Sequence, residues 1–228
     1  MIVDTPLRLA VFDLDGTLLD SRAGILAGFA AAADAIDVPA PESAALLGAV
    51  GLPIGRIVEQ LYPQFGGADV MAFVQSYRQA WAVRTRTGAD ALFPGVKDML
   101  ARLDRAGVLL GIATGKSRRG LDHALQYHGL DDRFLTVQTA DIGPGKPHPD
   151  MMMRALAETG TMAENAAMVG DSVHDVQMAV AAGVPCVGVT WGFTPVHALR
   201  AAGASAISDD LSKLDEILDG LWHTGGGV

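Results

Sequence analysis

At 228 residues, half of them hydrophobic, the chain has ample material for one large folded unit or two smaller ones. A formal net charge of −9 argues against nucleic acid or an anionic membrane surface as partner, since both call for a basic face. The lone cysteine leaves no internal disulfide, and no apolar run reaches the ~18 residues of a membrane span. The opening "MIVDTPLRLAVF" lacks the basic n-region and clean apolar h-region of a secretory signal, so the cytoplasm is the expected compartment.

The first element, "RLAVF" (8–12), reads as a strand buried on both faces. It runs into "AVFDLDGTLLDS", where two aspartates one residue apart precede Gly-Thr. Turn chemistry accounts for Asp15-Gly16 but not for Asp13, at the lip of the apolar run. Residues 20–90 then read as helix only: "SRAGILAGFAAAADAI", "PESAALLGAV", "IGRIVEQLY" and "GADVMAFVQSYRQAWAVRTRTG". Beyond Ala91–Phe93 the pattern alternates. Helix 94–107 leads to strand "VLLGIA" (108–113), helix 117–129 to strand "FLTVQT" (134–139), and helix 148–160 to strand "AAMVG" (166–170). Helix 171–183 precedes "PCVGVT" (185–190), in which Cys186 reads as a small buried residue, and "SAIS" (205–208) is a weaker sixth strand. The terminal "GGGV" is expected to be disordered. This is an α/β pattern: a doubly wound, mostly parallel sheet built from 1–19 and 91–228, with an all-helical unit, 20–90, inserted after the first strand.

Polar residues recur wherever a strand stops. Asp13 and Asp15 follow the first, Thr114, Gly115 and Lys116 the second, Lys146 of "GPGKPHPD" the third, and Asp171, Ser172 and Asp175 the fourth. In an open parallel sheet this is the edge where ligands bind. Asp13, Asp15, Asp171 and Asp175 carry −4 against +1 from Lys146. Two like charges ~4 Å apart repel by about 4 kcal/mol at an effective dielectric near 20, so a bare cluster would be costly and would reject anions. An oxygen-rich acidic cluster suits Mg²⁺, which would bring the site to roughly −1 and open it to a phosphate.

"DLDGT", the threonine ending the second strand, the lysine of "GKPHPD" and the acids of "GDSVHD" resemble the four ordered motifs of the haloacid dehalogenase (HAD) superfamily. The insert resembles its small α-helical cap, and "TGK", "GKPHPD", "GDSVHDVQMAVAAG" and "GVTWGF" are most similar to the phosphoglycolate phosphatase-type subgroup. The resemblance implies a Rossmann-like HAD core and a phosphatase acting through an aspartyl phosphate on Asp13. Asp15 would then protonate the leaving group and activate water, with carboxylate crowding raising its pKa. Thr114 and Gly115 would bind the phosphoryl group, and Lys146 would bridge it to Asp13. Mg²⁺ would sit on Asp13, the Asp15 carbonyl and Asp171, with Asp175 in support. The second aspartate also sets the pattern apart from the carbon–halogen and carbon–phosphorus branches.

Selectivity would lie in the cap, where "GLPIGR" offers Arg56 for a carboxylate or second phosphate of the substrate. Arg118 and Arg119 read as surface charge, and Trp191, Gly192 and Phe193 as packing or mouth residues. The expected partner is a small phosphorylated molecule, foremost 2-phosphoglycolate, handled by a monomer or homodimer. Inorganic pyrophosphatase is the rival, and a β-phosphoglucomutase-like phosphosugar mutase a more distant one.

Overall fold

Period-two alternation sends Leu9 and Val11 to one face of the first strand and Ala10 and Phe12 to the other, and all four are apolar because both faces are covered. The computed structural model describes residues 6–86 and 88–224, so the "GGGV" tail lies outside the described residues. In chain order the elements begin with β1 (Leu9–Phe12), β2 (Leu19–Asp20), α1 (Arg22–Ala35), α2 (Ser43–Ala49), α3 (Ile54–Leu61) and α4 (Gly67–Arg84). They continue with β3 (Ala91–Leu92), α5 (Val96–Arg105), β4 (Leu109–Thr114), α6 (Arg118–His128), β5 (Thr136–Thr139) and α7 (Asp150–Thr159). The last are β6 (Ala166–Gly170), α8 (Val173–Ala181), β7 (Cys186–Val189), α9 (Val196–Ala202), β8 (Ala206–Ser208) and α10 (Leu214–Thr224).

Six strands form one parallel sheet in the order β5-β4-β1-β6-β7-β8. The chain leaves β1 toward β4 on one side and returns to β6 on the other. The strand order thus reverses at β1, and a crevice opens at its carboxyl end. Val96, Met99, Leu100 and Leu103 of α5, with Leu121 of α6 and Leu214 and Leu218 of α10, cover the Phe12 face. Met151 and Met152 of α7, Val176 and Met178 of α8 and Leu199 of α9 cover the Val11 face. The expected doubly wound α/β core is therefore present. Its helix ends follow the sequence signals: Ser117 Oγ accepts from Gly120 N at 3.3 Å, and Gly129 and Gly160 close their helices with φ near +64° and +67°.

The four helices of the insert pack on one another around Phe29, Leu46, Val58, Tyr62 and Phe73. The reading of 20–90 as free of strand needs one amendment. Asp20 of β2 and Ala91 of β3 pair beside Leu19 and Leu92 in an antiparallel ribbon where the chain enters and leaves the helices. A strand of two residues carries no periodicity to detect. Among the described residues no helix is long and apolar enough to cross a membrane.

Candidate active site

Asp13 continues the line of β1, its backbone N–H donating to Val169 O at 2.9 Å, so its side chain emerges at the sheet's carboxyl edge. There its Oδ1 meets Lys146 Nζ at 2.8 Å, and the same ammonium reaches Asp175 Oδ1 at 2.5 Å. Asp175 is the N3 residue of α8 and forms a reciprocal capping box with Ser172; its Oδ2 accepts from Ser172 N at 3.0 Å and Ser172 Oγ at 2.7 Å. Asp171 is held by Thr17 Oγ1 at 3.1 Å on Oδ1 and by the Phe193 backbone N–H at 2.8 Å on Oδ2. Gly16 makes this possible twice over: its φ is +84°, and a Cβ there would lie 2.5 Å from Asp171 Oδ2.

One carboxylate oxygen from each of Asp13, Asp171 and Asp175 lies within 4.8 Å of the others, in a fully buried cluster. Burial pushes the Asp13 carboxyl well above its ordinary value; Lys146 pulls it back, while Asp175 and Asp171 push it further up. Burial, aided by Asp175, lifts Asp171 to about 7. For Lys146 burial alone would favour the amine, but Asp13 and Asp175 outweigh it and keep the ammonium. The donor set is hard oxygen throughout and suits Mg²⁺. Both Asp175 oxygens already accept hydrogen bonds, one of them twice, whereas each Asp171 oxygen accepts one and retains a lone pair.

Asp15 departs from the expectation of carboxylate crowding. The group touching it is the Lys116 ammonium, 2.9 Å from Oδ2, while its Oδ1 is buried with no hydrogen-bond partner. Lys116 stands two residues after Thr114, whose Oγ1 accepts from the Lys116 backbone N–H at 3.2 Å. Burial would lower the Lys116 pKa; Asp15, with a smaller push from Tyr77, raises it above its ordinary value instead. A second amine therefore joins the edge, and a divalent cation would bring the constellation to neutrality rather than to −1.

A loop of the helical insert closes over this edge. A Cβ on Gly115 would lie 2.6 Å from Leu52 O and 2.7 Å from Gly51 O, and one on Gly145 would lie 2.4 Å from Pro53 Cγ. Gly115 thus serves the approach of the loop. Between loop and sheet edge lies a cavity of about 890 Å³ lined by Asp13, Asp15, Thr114 and Lys116, by Ser117, Gly120, Ala140 and Asp141 beside them, and by residues of the helical insert. Arg56 is not part of it. Its side chain is 73% exposed and pairs with Glu59 at 3.3 Å, because Ile54, Ile57, Val58 and Leu61 turn the other face of α3 inward. Arg118 pairs with Asp122 at 2.8 Å on the surface, and neither it nor Arg119 lines the cavity. Trp191 Nε1 donates to Thr17 O at 3.0 Å, so "TWGF" braces the Asp171 cradle. Sequence reasoning assigned no role to Lys116, Thr17 or the Phe193 amide. The "TGK" spacing carries a signal for the first; a backbone donor such as the last leaves none.

The family model for haloacid dehalogenase-like hydrolases matches residues 10–189. The "Probable phosphatase IndB" of Dickeya dadantii is 35% identical over 209 residues, covering 90% of this chain and 91% of that protein. A phosphoglycolate phosphatase of Pectobacterium atrosepticum is 32% identical over 224 residues, covering 96% and 94%. The crystal structure of a hydrolase from Pseudomonas syringae superposes with a TM-score of 0.84 at 25% identity, covering 94% and 99%.

Proposed function

The chain belongs to the haloacid dehalogenase-like hydrolases, a phosphatase of phosphate monoesters, and from that premise we propose a Mg²⁺-dependent reaction through an aspartyl phosphate on Asp13. The observation that carries this reading is Asp13 at the carboxyl end of the central strand, bridged by Lys146 and clustered with Asp171. An Asp13 carboxylate oxygen attacks phosphorus in line as the bond from phosphorus to the ester oxygen breaks. Asp15, a residue of the cavity lining whose Oδ1 has no hydrogen-bond partner, gives its proton to the departing oxygen. It then takes a proton from the water that attacks the aspartyl phosphate, releasing inorganic phosphate and restoring Asp13. Lys116 orients Asp15 through its other oxygen, and Lys146 and Thr114 offset charge on the transferring group.

Bound Mg²⁺ would neutralise phosphate oxygens, held by Asp13, Asp171 and the main chain of Asp15, with Asp175 acting through Lys146 and Ser172. Residues 20–90 act as the cap, sealing the edge through Gly51, Leu52 and Pro53. The relatives named as phosphoglycolate phosphatases make 2-phosphoglycolate the first compound to assay. The test is phosphate release with Mg²⁺, with chelator, and by Asp13→Asn. Release that chelation and the substitution both abolish supports the mechanism. Release that survives Asp13→Asn rejects Asp13 as nucleophile.

A further inference from the structure

The cavity over the sheet edge has two unlike ends. Its catalytic end is charged and polar, whereas Phe29, Leu52, Ile54, Val74 and Trp81 make much of the remaining wall apolar; Gln75, Tyr77, Arg78, Ser117 and Asp141 supply its polar groups, Gln75 and Arg78 from exposed positions. About 890 Å³ is room for roughly 30 water molecules at ~30 Å³ each, at the upper end of small-molecule sites. A two-carbon acid such as glycolate would leave most of it unfilled. Such an acid also needs a cation for its carboxylate, and two side chains of the lining are cationic. Lys116 is committed to Asp15, and Arg78 is exposed on α4. Arg56, the residue the sequence offered for that task, points to solvent.

We infer that the group esterified to phosphate in this enzyme's substrate is bulky, uncharged and mainly apolar, an aliphatic chain or aromatic ring lying against the α4 and Leu52 walls of the cap cavity. The inference rests on the phosphatase reading and adds to it the chemical class of the alcohol. Burial of each methylene against these walls strengthens binding, because the wall atoms give nothing that water would have given better. A polar group laid against Phe29, Leu52, Ile54 or Val74 would surrender hydration without a partner.

The experiment uses the full chain with Mg²⁺ and n-alkyl monophosphates from ethyl to octyl, with naphthyl phosphate and 2-phosphoglycolate alongside. Phosphate release is measured for the wild type, and calorimetric binding of the same compounds for Asp13→Asn. Affinity should rise about fourfold per added methylene until the chain spans the cavity, with kcat/KM climbing in step. Octyl and naphthyl phosphate should stand at least tenfold above 2-phosphoglycolate. Val74→Asp should cut the octyl-to-ethyl ratio at least tenfold. Met71→Asp, at an exposed position of the lining where folding is not at stake, should shift it the same way. A flat series, or 2-phosphoglycolate at its head, with release still dependent on Asp13, overturns the inference and leaves the phosphatase reading intact. Affinity that climbs with chain length while the wild type releases no phosphate supports the apolar site and rejects the phosphatase reading.

Discussion

Lys146→Met removes the cation that lies between two buried carboxylates without removing the bulk of the side chain. At 2.8 Å and 2.5 Å, and an effective dielectric near 20, each contact has a gross Coulomb energy of about 6 kcal/mol. Desolvation of the three charges offsets much of that, and losing one member of such a buried set costs about 3–5 kcal/mol. Against a total stability of about 5–15 kcal/mol this is a large fraction, and at about 2–4 °C per kcal/mol it lowers Tm by roughly 6–20 °C. The loss depends on pH with a definite sign. Asp13 and Asp171 have folded-state pKa values raised above the unfolded ones, Asp171 to about 7. The folded protein therefore keeps protons that the unfolded chain has already given up, and its stability falls as pH rises through that window. Without Lys146 the window widens, so the variant should lose most at pH 8 and distinctly less at pH 5, where protons do part of the lysine's work. Urea unfolding of both proteins with chelator present, at the two pH values, reads this directly. An equal loss at both, or a variant as stable as the parent at pH 8, would refute the assignment of Lys146 as counter-charge to the cluster.

Bound as proposed, Mg²⁺ would take the place of those protons and should raise Tm more at pH 8 than at pH 5; equal shifts in paired thermal scans would separate the cation from the Asp171 cluster. Lys116→Met leaves Asp15 without its orienting partner, and should slow esters of poorly leaving alcohols at least tenfold more than an aryl phosphate, which needs less protonation; parallel losses on both would deny Asp15 the acid role. Gly115→Ala places a methyl group 2.6 Å from Leu52 O, and should lower kcat/KM at least tenfold with Tm nearly unchanged; full activity would mean that the loop need not seat on the core for turnover. Arg56→Ala should change kcat/KM on an acidic and on a neutral phosphoester by less than about twofold, since an exposed pair three residues apart on a helix contributes little.

The core of the site was legible because its geometry is dictated by the sheet. Residues that end parallel strands must meet at one edge, so Asp13, Thr114 and Asp171 come together whatever the intervening helices do, and Lys146 joins them from the loop after β5. Arg56 was misplaced for want of helical phase. Ile54, Ile57, Val58 and Leu61 recur at i, i+3, i+4 and i+7, and that stripe turns Arg56 outward, a signal present in the sequence but not used. Lys116 was in view as part of "TGK", yet spacing alone does not say whether a long flexible side chain turns back toward Asp15 or away to solvent. The Phe193 amide that holds Asp171 was beyond reach of any reasoning from side-chain type. The β2–β3 ribbon fell below the length at which alternation means anything.

That ribbon has a further consequence. Leu19 faces Leu92, and Phe93 N–H donates to Leu18 O at 3.0 Å, so the two crossings of the chain stand side by side. Everything between them is hung from one doorway. A segment attached in this way can lengthen, repack or exchange its lining without disturbing the registers of β1, β4 and β6, on which the acids depend. Chemistry and selectivity are thereby free to evolve at different speeds. Chains that keep the same four strand ends can come to serve alcohols of quite different size and polarity.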